Sequence, residues 1–190
     1  MKRLQYIKTA SAFLCAFVLC ASCAKSQERT VLKNAQNNVT LGGKTMKHEK
    51  EIFLAGGCFW GVEAYFERLP GVTLTETGYA NGKTDKTTYR ELSETDHAET
   101  VRIVYDPTTI TLEELLAHYF RIIDPTSVNR QGNDRGRQYR TGIYYTDASD
   151  EKEVQNFLDF MQKKYSAPLA VEKSLLKNFV RAEDYHQKYL

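Results

Sequence analysis

Between Glu51 and Ser174 the spacing of apolar residues switches repeatedly between strand-like and helix-like periods, and that switching constrains the fold more than any other feature. "EIFLA", ending at Ala55, is a short apolar run closed by Gly56 and Gly57, which predicts a buried strand. Val62, Tyr65, Phe66 and Leu69 then fall at helical spacing until "LPG" stops the pattern. "GVTLTETGYANG" predicts a strand running into a turn at Asn81 and Gly82. "AETVRIVYD" alternates, with Val101, Ile103 and Tyr105 on one face. Thr111 and Glu114 form a capping-box pattern ahead of a helix bearing Leu112, Leu115, Leu116, Tyr119 and Ile123, and Pro125 blocks its continuation. A strand in "QYRTGIYYT", a helix marked by Val154, Phe157, Leu158, Met161 and Tyr165, and a short strand in "PLAVEKS" complete the series. The order β-α-β-β-α-β-α-β predicts an α+β layer fold with a ferredoxin-like core.

Residues 1–22 read differently. Lys2, Arg3 and Lys8 precede the apolar stretch "TASAFLCAFVLC", which is short for a bilayer span. Ala21 and Ser22 before Cys23 resemble a lipoprotein cleavage site with Cys23 as the lipidated residue, although Cys20 stands where an aliphatic residue is usual. Plain secretion and an uncleaved anchor are the alternatives, and all three place the domain outside the cytoplasm. Residues 23–49 are polar and aperiodic and read as a flexible tether, leaving 50–190 as the folded domain. With 42% hydrophobic residues the chain has material for a core. Three of the 26 basic residues stand in the leader, so the rest nearly balance 24 acidic ones and leave no basic stripe for nucleic acid.

Of four cysteines, Cys15, Cys20 and Cys23 fall in the leader or at its end, and Cys58 remains alone. One thiol makes neither a disulfide framework nor a structural zinc site. Cys58 is therefore either an inert buried side chain or a reactive one. Strand, Gly-Gly, helix puts it at a helix start, where unpaired N–H groups favour a thiolate and lower its pKa. Gly56, Gly57 and Gly61 keep bulk away from the sulfur. Phe59 and Trp60, adjacent on a helix, cannot both face the same way, so at least one looks away from the core. Glu99 sits on the face of Val101, Ile103 and Tyr105; buried there, it would keep its proton near neutral pH and serve as a general acid. A one-residue shift in register would leave it solvated instead. His186 and Asp184 invite a Cys-His-Asp hydrolase reading, set against the commoner role of a packing residue near a terminus. A thiol peroxidase usually has a threonine shortly before its cysteine, whereas Ala55, Gly56 and Gly57 precede Cys58.

"GGCFWGVEAYF", "GYANG", "TYRE", "HAETVRIVYDP", "DPTSVNRQGNDRGRQYRTGIYY" and "AEDYHQKYL" together resemble the A-type peptide methionine sulfoxide reductases, collinearly over about residues 50–190. The resemblance implies a ferredoxin-like α/β sandwich core with an added C-terminal helix, strand and coil. It implies Cys58 as nucleophile and Glu99 as acid, with Tyr89 and Tyr139 hydrogen-bonding the sulfoxide oxygen. Phe59 and Trp60 would line the pocket for the substrate's methyl group, and Asp134 would support the site from the polar loop. The "AEDYHQ" segment would fold back near the site in a supporting role. The reaction implied is reduction of methionine S-sulfoxide, free or in proteins, through a Cys58 sulfenic acid, with no metal or bound organic cofactor. "LSETD", between "TYRE" and "HAE", lacks the cysteine some relatives carry, and the chain stops at Leu190 without a cysteine-bearing tail. A one-cysteine mechanism is therefore expected, with a thioredoxin-like protein or small thiol as electron donor. The expected partners are methionine sulfoxide and that reductant, with the membrane reached only through Cys23, and the protein is expected to be a monomer.

Overall fold

The computed structural model describes residues 49–190, so the leader, Cys23 and all but the last residue of the tether lie outside the described residues. The central strand β1 (Lys50–Gly56) is followed by helix α1 (Phe59–Phe66), β2 (Val72–Ala80), the single turn α2 (Leu92–Thr95) and β3 (Ala98–Tyr105). Helix α3 (Leu112–Ile122) leads to a two-stranded hairpin, β4 (Arg130–Gln131) and β5 (Asp134–Arg135), and then to β6 (Thr141–Tyr145). Helix α4 (Glu151–Gln162), β7 (Glu172–Leu175) and β8 (Phe179–Arg181) complete the chain.

The main sheet runs β7-β6-β1-β3-β2-β8. Only β6 and β7 pair in parallel; every other pair in it is antiparallel. Taking β1, β2, β3 and β6 as the four strands of a βαββαβ unit, their order in the sheet is fourth-first-third-second, the ferredoxin-like arrangement. The additions are β7 and α4 on one side and β8 on the other.

Strand β1 lies between two partners and from Ile52 to Gly56 is buried on both faces, which is why that stretch is apolar rather than alternating. Ile52 and Leu54 join the large core beneath the helices, with Val101, Ile103, Tyr105, Leu115, Leu116 and Ile143. Phe53 and Ala55 point the other way into a smaller cluster with Tyr144, Ala80 and Ala98, against which Leu176 and Phe179 pack. The expected capping box is present: Glu114 N–H donates to Thr111 Oγ1 and the Glu114 carboxylate accepts from Thr111 N–H.

The turn expected at Asn81 is present, in left-handed backbone at φ 53°, and opens an excursion that Asp96 at φ 59° closes. Other local readings shift: α1 ends at Phe66, short of Leu69, and α4 at Gln162, short of Tyr165. "QYRTGIYYT" becomes a strand only from Thr141, because Arg137–Tyr139 coil into a 3₁₀ turn. The strand expected in "PLAVEKS" starts only at Glu172, and β8 and the β4–β5 hairpin are too short to carry a period.

Candidate active site

Antiparallel pairing of β1 with β3, in a register that sets Leu54 opposite Val101, brings the end of β1 beside the start of β3. Cys58, two residues beyond β1, therefore meets Glu99, the second residue of β3. Cys58 is the N-cap of α1 and half-buried. The first turn of α1 is shared between the two groups. Phe59 N–H donates to Glu99 Oε2 at 3.1 Å, while the Trp60 and Gly61 N–H groups pull the Cys58 pKa down without its side chain closing a capping hydrogen bond.

Gly57 makes this junction: it is in left-handed backbone at φ 85°, and a Cβ there would lie 2.6 Å from Gln131 Cβ. The Gln131 amide is itself clamped to the Asp124 backbone, accepting from its N–H and donating to its carbonyl, each at 2.8 Å. The β4–β5 hairpin thus rests against the residue before the thiol. A Cβ at Gly61 would meet open space, so the approach over the helix start is unobstructed.

Glu99 is 2% exposed. Burial pushes its carboxyl up to about 8, against the pull of the Phe59 N–H, and the nearby Asp134 charge pushes the same way. The alternation in "AETVRIVYD" therefore placed Glu99 on the right face. The thiol departs from expectation. Burial raises the Cys58 pKa more than the Trp60 and Gly61 N–H groups lower it, with Glu99 and Asp134 adding to the rise. The sequence shows a helix start but not how deep it lies.

Tyr89 begins a 3₁₀ turn, Tyr89–Glu91, and Tyr139 ends another, Arg137–Tyr139; burial pushes the Tyr139 phenol up, and Tyr89 and the charges of Glu99 and Asp134 add to the rise. Arg137 joins the two segments through a forked pair with Asp96, at 2.6 and 3.1 Å, which holds the Asp96 carboxyl below its usual range. From the segment after β8, Glu183 accepts from Tyr79 Oη at 2.6 Å and from Tyr89 N–H at 3.2 Å. Burial pushes Glu183 up, but these donors outweigh it and leave the carboxyl below its usual range. Asp134 is exposed on β5 and reaches Cys58, Glu99 and Tyr139 through its charge.

Phe59 and Trp60 do part company. Phe59 is buried against Tyr79 and His186, with ring centroids 5.8 and 5.1 Å away. Trp60 is half-buried, and Tyr189 stacks on it at 3.8 Å and 14°. "AEDYHQ" folds back as expected: the buried His186 ring lies 5.6 Å from Trp60 and 4.9 Å from Tyr89. Neither of its nitrogens has a hydrogen-bond partner, and burial lowers its pKa. Asp184 pairs with Arg181 at 2.7 Å. No carboxylate orients His186, so a Cys-His-Asp relay has no geometric basis.

Glu183, Arg137, Glu63 and Tyr189 were not singled out by sequence. Glu63 carried a legible signal, a carboxylate one residue after Val62 on a helix with little polar face; the others carried none. Among the described residues no cluster of three or more His, Cys, Asp or Glu is placed to hold a metal ion.

The neighbours of this arrangement are consistent. The family model described as peptide methionine sulfoxide reductase matches residues 50–190. Reduced Mxr1 from Saccharomyces cerevisiae is 38% identical with a TM-score of 0.71, over 80% of this chain and 89% of that one. Methionine sulfoxide reductase A of Corynebacterium diphtheriae is 35% identical with a TM-score of 0.72, over 80% of this chain and 77% of that one. Mxr1 in complex with Trx2 is 29% identical with a TM-score of 0.55, over 80% of this chain and 91% of that one.

Proposed function

The chain belongs to the A-type peptide methionine sulfoxide reductases, and we propose that Cys58 is the sulfur that takes the oxygen, with Glu99 moving the proton. One observation carries this assignment: a carboxyl only 2% exposed accepts from the first N–H of the helix that Cys58 caps. Tyr89 and Tyr139 hold the sulfoxide oxygen, Trp60 contacts the methyl group with Phe59 behind it, and Asp134 supports the acid by its charge.

The balance is simple. Thiol plus sulfoxide gives sulfenic acid plus thioether, so Cys58 is oxidised by two electrons and the sulfoxide sulfur is reduced by two. The S–O bond breaks and an S–O bond to Cys58 forms. The proton leaving the thiol and the one arriving at oxygen cancel, with Glu99 as the relay. That relay matters because Cys58 rests as a thiol: the acid must activate the oxygen as the sulfur gives up its proton. An external dithiol then condenses with the sulfenic acid, releasing water, and resolves the mixed disulfide. The Mxr1–Trx2 complex supports a thioredoxin-like protein as that dithiol.

The S epimer, free or in proteins, is the proposed substrate. Assay of both epimers of an N-acetylated methionine sulfoxide with a thiol reductant tests this: the S epimer should be consumed and the R epimer spared. Turnover of the R epimer alone would overturn it. Cys58→Ser should abolish turnover.

The leader supports export and lipid attachment at Cys23, which would place the enzyme in the cell envelope repairing oxidised proteins there. Incorporation of radiolabelled palmitate in the native host, lost in Cys23→Ala, is the expected result. Label retained in that variant, or none in the wild type, would contradict acylation at Cys23.

A further inference from the structure

Glu63 is a charge in an unusual place. Its side chain is 2% exposed, on α1, three residues from Trp60 and thus on a neighbouring face. A lone buried carboxylate is costly, so what it holds must matter. It holds the segment after β8. Glu63 Oε2 accepts from Lys188 N–H at 2.8 Å, and the Lys188 ammonium lies 3.4 Å from Glu63 Oε1 and 3.2 Å from Glu67 Oε2, also donating to Thr75 Oγ1. Lys188 is in left-handed backbone at φ 51°. The next residue is Tyr189, whose ring lies flat on Trp60.

Upstream, the same segment is fastened to β2. The Gln187 amide accepts from Thr77 N–H at 3.0 Å and donates to the Thr77 carbonyl at 3.0 Å, and Ala182 N–H donates to the Thr77 carbonyl. Between that anchor and Tyr189 the chain makes one turn, at Lys188. The helix offers Glu63 and Trp60; the strap offers Lys188 and Tyr189. The two pairs match in register.

We propose that Glu63 is a positioning residue for sulfoxide binding: its carboxylate locks the left-handed turn at Lys188 and so fixes Tyr189 over Trp60 as a wall of the site. The inference rests on Trp60 contacting the substrate. Glu63 itself touches no reacting atom. Its removal should therefore weaken binding and leave the chemical step alone.

Trp60 is the chain's single tryptophan, so its emission reports on this stack directly. Glu63→Leu should shift Trp60 emission in the same way as Tyr189→Ala. It should also raise the single-turnover half-saturation concentration for methionine sulfoxide by roughly 3- to 10-fold, the scale of one aromatic contact, with the saturating rate within about twofold. The double variant should bind no worse than Tyr189→Ala alone, because one acts through the other. Glu63→Gln, which keeps an acceptor for Lys188 N–H, should recover most of the loss. Lys188→Met, at a half-exposed side chain, should move emission and half-saturation in the same direction by less and keeps the test open if Glu63→Leu does not fold. Unchanged emission in folded Glu63→Leu or Lys188→Met, or additive effects in the double variant, would overturn the proposal. The emission test needs no substrate, so absence of sulfoxide turnover in the wild type would contradict the proposed function and not the clasp.

Discussion

Glu99 and Cys58 divide the first turn of one helix, and burial acts on both in the same chemical direction, towards the protonated form. In the proposed mechanism the protonated form of Glu99 is the working one. The rate of sulfoxide reduction in single turnover should therefore be full below pH 7 and fall as pH rises through about 8, where Glu99 ionises. Glu99→Gln should lower that rate by roughly 10²–10⁴-fold and remove this limb. Full activity in that variant across neutral pH would mean another group supplies the proton. For Cys58, alkylation by iodoacetamide should reach half its maximal rate at a higher pH than for an ordinary exposed cysteine, and labelling at pH 6 should be slow. This reverses what the helix start alone implies. A helix N-terminus is legible in sequence, but the depth at which it is buried, which here decides the sign, is not. Alternation put Glu99 on the face of Val101 and Ile103, but its burial was only half legible: Ala98 and Thr100 on the opposite face are buried as well, because the start of β3 is covered on both sides.

At the scale of elements, sequence and structure agree where a segment is long enough to hold a period. Helices α3 and α4, strands β1, β2 and β3 and the capping box of α3 all follow from spacing. Thr111→Ala should destabilise the protein by about 1 kcal/mol in urea unfolding without changing the single-turnover rate. A change in that rate would mean α3 reaches the site in a way its packing does not indicate. The short pieces were not legible: the β4–β5 hairpin, β8 and the 3₁₀ turns carrying Tyr89 and Tyr139 are fixed by pairs such as Arg137–Asp96 and Gln131–Asp124 that join distant or irregular segments. Gly57→Ala meets both a positive φ and Gln131, so it should cost roughly 1–3 kcal/mol and slow sulfoxide reduction by displacing the hairpin beside Cys58.

Across the whole molecule, the βαββαβ order determines that the end of β1 and the start of β3 lie side by side, and this brings two residues distant in sequence together. Periodicity predicted the order of elements and so a ferredoxin-like core. The return of the segment from Ala182 to Leu190 to the start of α1 was expected only from the family resemblance, because that contact depends on single side chains, Gln187, Lys188 and Glu63. The raised Glu99 pKa also couples to global stability. Its contribution is full below the ordinary value of 4.5 and is lost as pH rises towards about 8. The difference in melting temperature between wild type and Glu99→Gln should therefore shift against the wild type over that interval; a constant difference would place the carboxyl at its ordinary value. The most direct test of the account is one turnover without reductant, with one equivalent of methionine S-sulfoxide. One equivalent of methionine should appear, and mass spectrometry should find a dimedone-trappable sulfenic acid at Cys58 alone. Methionine formed with Cys58 unmodified, or with Cys58 in an intramolecular disulfide, would contradict it.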